Sequence, residues 1–340
     1  MKDRLTPRER FGLLVIDEPQ DRVSIFPLIT SHAARVLGVS VRDYVTSGAV
    51  MAQAQLAAQD RYGHDFISLF SEVGIIAEAL GSEFSFPEDD LPIIERPRWR
   101  ELPEESDLSD VPELSDTGRL RVYLDAINLA YESRGDTVPI LAYVPAPFTT
   151  CQHLVETEAF LLGLMLEPER VHRLLQYATR SVIAFSRSCI NAGALPILVD
   201  PLASASVVSP DQFRDFCLPY EKEVISYWHR YDLDVVLHIC GDTAPITELM
   251  VESGADLLSV DRVDLASVVA KVGDKVRIIG NFNTSEIWLG DPAGIEKKAV
   301  EMTRTGLACP KGYVAATGCE VPLATQGENV DAFIRGCRSG

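Results

Sequence analysis

The sequence predicts an α/β fold, a (β/α)8 TIM barrel formed by a single domain. Eight short apolar runs follow one another along the 340 residues, and stretches with helical periodicity separate them. Near-continuous apolar runs are typical of strands buried on both faces, as in parallel sheets. Eight strand-then-helix units in one chain therefore indicate a barrel.

A helix is predicted near the amino terminus, within a helical extension that covers residues 1–24. Thr6 is suited to cap a helix, Pro7 to occupy its first position and Glu9 to close a capping box with Thr6. We expect this helix to be a lid or a plug of the barrel.

The eight apolar runs are the predicted barrel strands, in chain order residues 25–32, 66–70, 139–147, 195–201, 233–240, 255–261, 276–283 and 313–319. Crossover helices are expected between them, one beginning at Pro168 and ending near Gly193, another beginning with a capping box at Ser209. The segment 83–118, between strands 2 and 3, is rich in acidic residues and proline, which predicts a solvated insert.

Composition limits the partners and the compartment. A formal net charge of -19 argues against nucleic acid and anionic membranes, because phosphate binding needs a concentrated basic surface. No apolar run reaches the 18 residues of a membrane-spanning helix. Seven cysteines without framework spacing indicate reduced thiols in a cytoplasm. The oligomeric state is left open.

A histidine and two cysteines form the candidate metal site. His238 and Cys240 are two residues apart on one strand, so their side chains point the same way, and Cys319 ends the eighth strand. Two thiolates and one imidazole suit zinc, and three protein ligands with a fourth exchangeable position are typical of catalytic zinc. The alternative is ordinary packing, since a His-x-Cys pair also occurs in buried strands.

Other polar residues at the predicted strand ends are candidates for the same site. Asp261, at the end of the strand after the His-x-Cys pair, is the candidate weak fourth ligand, and Glu72 is a second candidate catalytic carboxyl. Asp200, Asn281 and His32 are candidates for substrate binding. The alternative for these residues is generic polarity at a solvated barrel rim.

Seven stretches of the chain resemble a known family. They are FSEVGIIAEALG, PAPFTTCQHLV, DPLASASVVSP, HICGDT, GADLLSVD, GNFN and TGCEVPLAT. In this order they resemble the uroporphyrinogen decarboxylase superfamily, and more closely its branch of corrinoid-dependent methyltransferases, such as the methylcobamide:coenzyme M methyltransferases. The branch's zinc pattern falls on His238, Cys240 and Cys319. A similar zinc set with an acidic fourth ligand in cobalamin-independent methionine synthase supports that role for Asp261.

The resemblance implies an enzyme that moves a methyl group between a protein-bound corrinoid and a zinc-activated thiol or related small acceptor. No DxHxxG-type corrinoid-binding signature is present, so a separate carrier protein is expected to bring the corrinoid. Three alternatives remain: a methyltransferase that loads the corrinoid from a methyl donor, as in O-demethylases; a decarboxylating lyase; and a zinc-stabilised binding protein without catalysis.

Two departures from true uroporphyrinogen decarboxylases argue against decarboxylation. Those enzymes carry an arginine-rich amino-terminal motif that holds the carboxylates of the porphyrinogen, and a catalytic aspartate after the second strand. Here the first strand has only Arg35 close by, and Glu72 occupies the acid position. Several fixed guanidinium groups would be needed to hold a polycarboxylate.

Overall fold

The computed structural model describes residues 3–111, 114 and 117–340. Residues 1 and 2 of the predicted extension and residues 112, 113, 115 and 116 of the predicted insert lie outside this description. The strands in the described residues are β1 (Ser24–Leu28), β2 (Ile67–Leu69), β3 (Glu83–Ser85), β4 (Ile93–Arg96), β5 (Ile140–Pro145), β6 (Leu195–Val199), β7 (Val236–His238), β8 (Leu257–Ser259), β9 (Arg277–Phe282) and β10 (Tyr313–Glu320).

Helices lie between these strands and flank them. They are α1 (Pro7–Val15), α2 (His32–Leu37), α3 (Val41–Thr46), α4 (Gly48–Tyr62), α5 (Ile75–Ala79), α6 (Arg119–Arg134), α7 (Pro147–Leu154), α8 (Thr157–Leu166), α9 (Pro168–Asn191), α10 (Pro210–Gln212), α11 (Leu218–His229), α12 (Thr247–Glu252), α13 (Leu265–Val272), α14 (Thr284–Leu289), α15 (Pro292–Gly306) and α16 (Gly327–Ser339). Short 3-10 turns occupy Glu105–Leu108 and Pro201–Ala203, and a π turn occupies Phe213–Cys217.

Eight parallel strands form the barrel, in the order β1-β10-β9-β8-β7-β6-β5-β2. The backbone N–H of Asp65, just before β2, donates to the carbonyl of Ile25 in β1 at 2.9 Å, which joins the two ends of the sheet. Each of the eight predicted strands coincides with one barrel strand, so the prediction of a (β/α)8 barrel is confirmed.

The predicted helix starts are also present. Thr6 and Glu9 form the capping box of α1, Ser209 caps α10 in the same way, and α9 runs from Pro168 to Asn191, two residues before Gly193. A long buried stripe of α9, which includes Leu174 and Phe185, packs on the outside of the barrel. Local side-chain chemistry therefore marks where these helices begin.

Helix α1 closes the barrel at the amino ends of the strands. Phe11 and Leu14 belong to the apolar cluster inside the barrel, and the Phe11 ring lies 5.2 Å from the Phe66 ring, edge to face. Arg277, the first residue of β9, donates to the carbonyl of Leu14 at 3.0 Å. The helix is thus a plug rather than a lid, on the face opposite the strand ends that carry the predicted site.

A buried ion cluster fastens this plug. Arg10 of α1 is fully buried and pairs with Asp65 at 2.7 Å and with Asp21 at 2.8 Å. Asp65 also accepts the backbone N–H of Ile25 at 2.7 Å and pairs with Arg22 at 2.6 Å. Every described charge in this cluster has an opposite partner, which a buried cluster requires.

The predicted insert, residues 83–118, contains the antiparallel hairpin β3–β4 and a 3-10 turn. Charged residues of the hairpin are exposed, whereas Leu102, Leu108 and Leu114 are buried in the main core. The segment therefore packs one side on the barrel. Among the helices that the structure describes, none combines the length and apolarity needed to cross a membrane.

Candidate active site

His238, Cys240 and Cys319 meet at the carboxyl ends of the barrel strands. The Nε2 atom of His238 lies 3.1 Å from the Sγ atom of Cys240, and the two Sγ atoms lie 3.3 Å apart. One ligand atom from each of the three residues lies within 4.8 Å of the other two. The sequence placed these residues at one site, and the structure brings them together.

Local backbone geometry explains how the three side chains converge. Strand β7 ends at His238, so Cys240 lies in the following turn, where Gly241 adopts a φ of 77° that favours glycine. The N–H of Gly241 donates to Oδ2 of Asp261 at 2.8 Å, which fastens this turn to the segment after β8. Cys319 lies on β10, three positions from β7 in the sheet, and barrel curvature brings the two together.

A hydrogen bond determines which nitrogen of His238 faces the thiols. Ser259 pairs with His238 across β7 and β8, and its Oγ atom lies 2.9 Å from Nδ1 of the imidazole. Because Nδ1 is engaged, Nε2 is the atom available to a metal. Histidine ligands of metals are usually oriented by such a contact at the other ring nitrogen.

The cluster fits a zinc ion by its donors and by its dimensions. Zinc bonds of about 2.3 Å to sulfur and about 2.0 Å to nitrogen place tetrahedral ligands roughly 3.5–3.8 Å apart. The observed separations of 3.1 and 3.3 Å need only a few tenths of an ångström of adjustment. Two thiols and one imidazole leave one of four positions for another ligand.

The two thiols influence each other's protonation. A hydrogen bond from the Cys240 thiol lowers the pKa of Cys319, and the same contact raises the pKa of Cys240. The pair therefore retains one proton that a dication would displace, since metal ligation requires deprotonated cysteines. Zinc binding is expected to release this proton.

A cavity of about 210 Å³ lies beside the cluster at the barrel mouth. His238, Cys240 and Cys319 form one side of it. Most of the remaining wall is apolar and is made by Leu28, Phe70, Val73, Leu91, Tyr143 and Val199. The volume of this cavity lies below the usual range for drug-sized ligands, so the cavity accommodates only a small molecule.

Two carboxyl groups complete the cavity wall. Glu72, a predicted site residue, lines the cavity and is held by Arg119 through bonds of 2.7 and 2.9 Å. Glu320, which the sequence reasoning missed, also lines it, and Thr30 donates to its Oε2. Burial raises the pKa of Glu320 to about 7. The sequence signal that could have predicted Glu320 as a site residue is its position directly after Cys319, at the end of a barrel strand.

Asp261 and Asn281 lie at the rim, beside the cluster. Asp261 is not among the three residues whose ligand atoms group together, and its carboxylate holds the Gly241 turn. The Nδ2 atom of Asn281 donates to the carbonyls of Asp261 at 2.9 Å and Val263 at 2.8 Å, so it shapes this loop. The roles predicted for both residues remain predictions.

Asp200 and His32 are buried, and neither lines the cavity. Oδ1 of Asp200 accepts the N–H of Thr149 at 3.0 Å and its hydroxyl at 2.5 Å. Nε2 of His32 lies 2.9 Å from the hydroxyl of Tyr62, and burial lowers the pKa of His32 to about 4. Substrate binding by these two residues stays a prediction.

Comparison with known proteins gives a family match over nearly the whole chain. Residues 6–339 match the family described as uroporphyrinogen decarboxylase (URO-D). A methylated-thiol–coenzyme M methyltransferase of Methanosarcina mazei is 27% identical over 290 residues, 85% of this chain and 76% of the relative. A methylcobamide:CoM methyltransferase, MtaA, of Methanosarcina barkeri is 26% identical over 93% of both chains. Proteins named uroporphyrinogen decarboxylase match at 25% to 26% identity as well, so identity alone does not separate the two activities.

A solved structure agrees with the barrel over the same extent. A methyltransferase from Methanosarcina mazei superposes with a TM-score of 0.87 and 25% sequence identity, covering 98% of both chains. The similarity therefore includes the amino-terminal plug and the carboxyl-terminal helix as well as the eight strands.

Proposed function

This chain belongs to the uroporphyrinogen decarboxylase family, and from that premise we propose that it is a zinc-dependent methyltransferase. It moves a methyl group between a protein-bound corrinoid and a small acceptor such as a thiol. The observation that carries the proposal is the His238, Cys240 and Cys319 cluster on the wall of a small cavity. The names of the methyltransferase relatives support the reaction class.

His238, Cys240 and Cys319 would hold the zinc. When bound, zinc supplies a Lewis acid that lowers the pKa of a thiol beside it. Ser259 orients the imidazole, and the Gly241 turn, fastened by Asp261, positions Cys240. We retain Asp261 as the weak fourth ligand of the resting state, because its carboxylate lies next to the loop that carries Cys240.

The cavity residues align the acceptor and keep water away from it. The apolar side chains, among them Phe70 and Val199, desolvate the sulfur, and the carboxylate of Glu72 is fixed by Arg119. In the transfer, the sulfur–carbon bond forms as the methyl–cobalt bond breaks, and that electron pair stays on the cobalt. The thiol gives up its proton to bulk water as it binds, before the transfer takes place in the desolvated cavity.

The corrinoid would arrive as a co-substrate on a carrier protein that docks over the barrel mouth, where the cavity opens. We propose a cytoplasmic location, because all seven cysteines are free thiols. Decarboxylation is not favoured, since no arginine of the described chain lines the cavity to hold a polycarboxylate.

The test joins metal analysis to a spectroscopic assay. Zinc content is measured for the wild type, Cys240→Ser and Cys319→Ser, and the loss of methylcobalamin absorption is followed with added thiols. We expect about one zinc per chain and thiol-dependent demethylation for the wild type, and at least a hundredfold loss of rate in both variants.

Cys337→Ala is the matched control, because Cys337 is a buried cysteine of α16 outside the cluster. It should keep both zinc and rate. Full zinc and full activity in both cluster variants would overturn the proposal, as would decarboxylation of uroporphyrinogen by a zinc-free wild type.

A further inference from the structure

The cavity beside the cluster is where the small partner of the transfer must lie, so its wall limits the class of that partner. Apart from the cluster residues, the wall is mostly apolar, with Leu28, Phe70 and Val73 among its members. Its volume of about 210 Å³ leaves room for a short chain of atoms next to the sulfur. A group at the far end of such a molecule would still be inside the cavity.

The charged groups of this wall are acids. Glu72 and Glu320 contribute carboxyl groups, whereas no lysine or arginine in the described ranges lines the cavity. In either protonation state a carboxyl offers no positive charge. An anionic group placed here would lose its hydration without gaining a cationic partner, which is unfavourable.

Arg119 contacts this wall through Glu72, and all its N–H donors are engaged. Its Nε–H donates to Glu78 at 2.8 Å. Its Nη1 donates to Ser71 and Glu72, and its Nη2 to Glu72 and Glu78. These are all five N–H donors of a guanidinium. The guanidinium carbon also lies 4.7 Å from the centre of the Phe86 ring.

Resting on the proposed function, we propose that the small partner in the methyl transfer is non-anionic. It is a short thiol, or its methylated counterpart, that carries no sulfonate, carboxylate or phosphate. The acidic wall excludes anionic thiols, and the apolar wall accepts a neutral or cationic one. The side chains responsible are Glu72 and Glu320, together with Arg119, whose donors are already engaged.

The test uses three thiols of the form HS–CH2–CH2–X that differ in one group: 2-mercaptoethanol, 2-aminoethanethiol and 2-mercaptoethanesulfonate. Their dissociation constants are measured by calorimetry on the full-length, zinc-loaded protein. We expect the sulfonate to bind at least tenfold more weakly than each of the other two. A smaller difference, or no binding by any of the three thiols, would overturn the inference.

A pair of variants tests whether the charge of the wall causes this preference. Leu91→Lys adds a cation to the cavity wall, and Ile93→Lys adds the same charge two residues away at an exposed position that does not line the cavity. We expect Leu91→Lys to strengthen sulfonate binding at least tenfold relative to Ile93→Lys. Equal sulfonate affinities in the two variants would contradict the role of the wall charge.

The same three thiols separate this inference from the proposed function. If the order of affinities holds but none of the thiols is methylated by methylcobalamin, the proposed function fails and the assignment of the cavity stands. If methylation proceeds and the sulfonate is preferred in binding, the function stands and the inference is wrong.

Discussion

Ser259 does not line the cavity, yet its contact with His238 orients one member of the cluster. Its hydroxyl lies 2.9 Å from Nδ1 of His238, on the neighbouring strand, and so directs Nε2 toward Cys240 and Cys319. The sequence indicated the three cluster residues because they follow a strand pattern and a family pattern. It did not indicate Ser259, because the pairing of β7 with β8 has a register that only the folded sheet defines.

We expect Ser259→Ala to weaken zinc binding by about 10- to 100-fold, since the imidazole loses the contact that orients it. Competition with a chelator measures the affinity. Ser253→Ala is the control, because Ser253 is equally buried but bonds within its own helix end, to the carbonyl of Met250. Zinc affinities that match in the two variants would show that Ser259 does not position the imidazole.

Two residues at or beside the cavity, Glu320 and Arg119, were not among the site residues predicted from the sequence. Glu320 stands beside a predicted ligand, so its position was visible, but its contact with Thr30 joins opposite ends of the chain. Arg119 follows the acidic insert and carries no motif, and only the fold brings it to Glu72. Long-range pairs of this kind depend on tertiary packing, for which neither periodicity nor spacing gives a signal.

At the scale of the elements, helix α11 and strand β6 enclose two carboxyl groups. Glu221 on α11 and Asp200 at the end of β6 are both fully buried. In the described residues, neither oxygen of Glu221 has a hydrogen-bond partner. Burial raises the pKa of Asp200 to about 7, and burial together with the Asp200 carboxylate raises that of Glu221 well above its ordinary value.

These shifts make stability depend on pH in a defined direction. Above the ordinary carboxyl pKa of about 4, the unfolded chain releases protons that the folded chain keeps, so the free energy of unfolding falls as pH rises. Glu221→Gln replaces one of the two carboxyl groups that keep a proton in the folded chain and lose it in the unfolded chain. The difference in unfolding free energy, variant minus wild type, should therefore increase by up to about 1.4 kcal/mol per pH unit between pH 5 and pH 7.

Denaturant unfolding at pH 5, 6 and 7 measures this gain. Glu223→Gln makes the same chemical change on the exposed face of α11 and should leave the pH dependence as it is in the wild type. A wild-type protein whose stability is flat over this range, or a Glu221→Gln variant that keeps the full slope, contradicts the buried acid pair.

The ends of the strands could not be predicted as well as the strands themselves. All eight predicted strands exist, but β7 ends at His238, two residues before the predicted end of its apolar run. The turn at Gly241 ends the strand, because its backbone N–H bonds to Asp261 rather than to a neighbouring strand. Hydrophobicity continues past such a turn, so a pattern of apolar residues cannot locate it.

Over the whole molecule, the amino-terminal and carboxyl-terminal ends of the barrel strands differ in function. The amino ends of the strands are closed by α1, through Phe11, Leu14 and the buried Arg10 cluster. The carboxyl ends hold the cysteine and histidine cluster and the cavity. Stabilising contacts on one face and reactive groups on the other are the usual division in this fold.

The barrel was predictable because its signals are local and repeated along the chain. The cluster was predictable because strand ends gather at one face, which brings together His238 and Cys319, 81 positions apart in the sequence. The cavity wall was not, since Leu91 comes from the acidic insert and Tyr143 from a strand interior. Their meeting depends on how the insert folds back onto the barrel.

The central claim is that three side chains hold one zinc ion whose fourth coordination position is open to exchange. X-ray absorption at the zinc edge tests this claim most directly. For the purified protein, the account requires two sulfur ligands at about 2.3 Å and one imidazole nitrogen at about 2.0 Å. Adding 2-mercaptoethanol should raise the sulfur count to three. A zinc shell without sulfur, or one that stays unchanged at saturating thiol, would contradict the account.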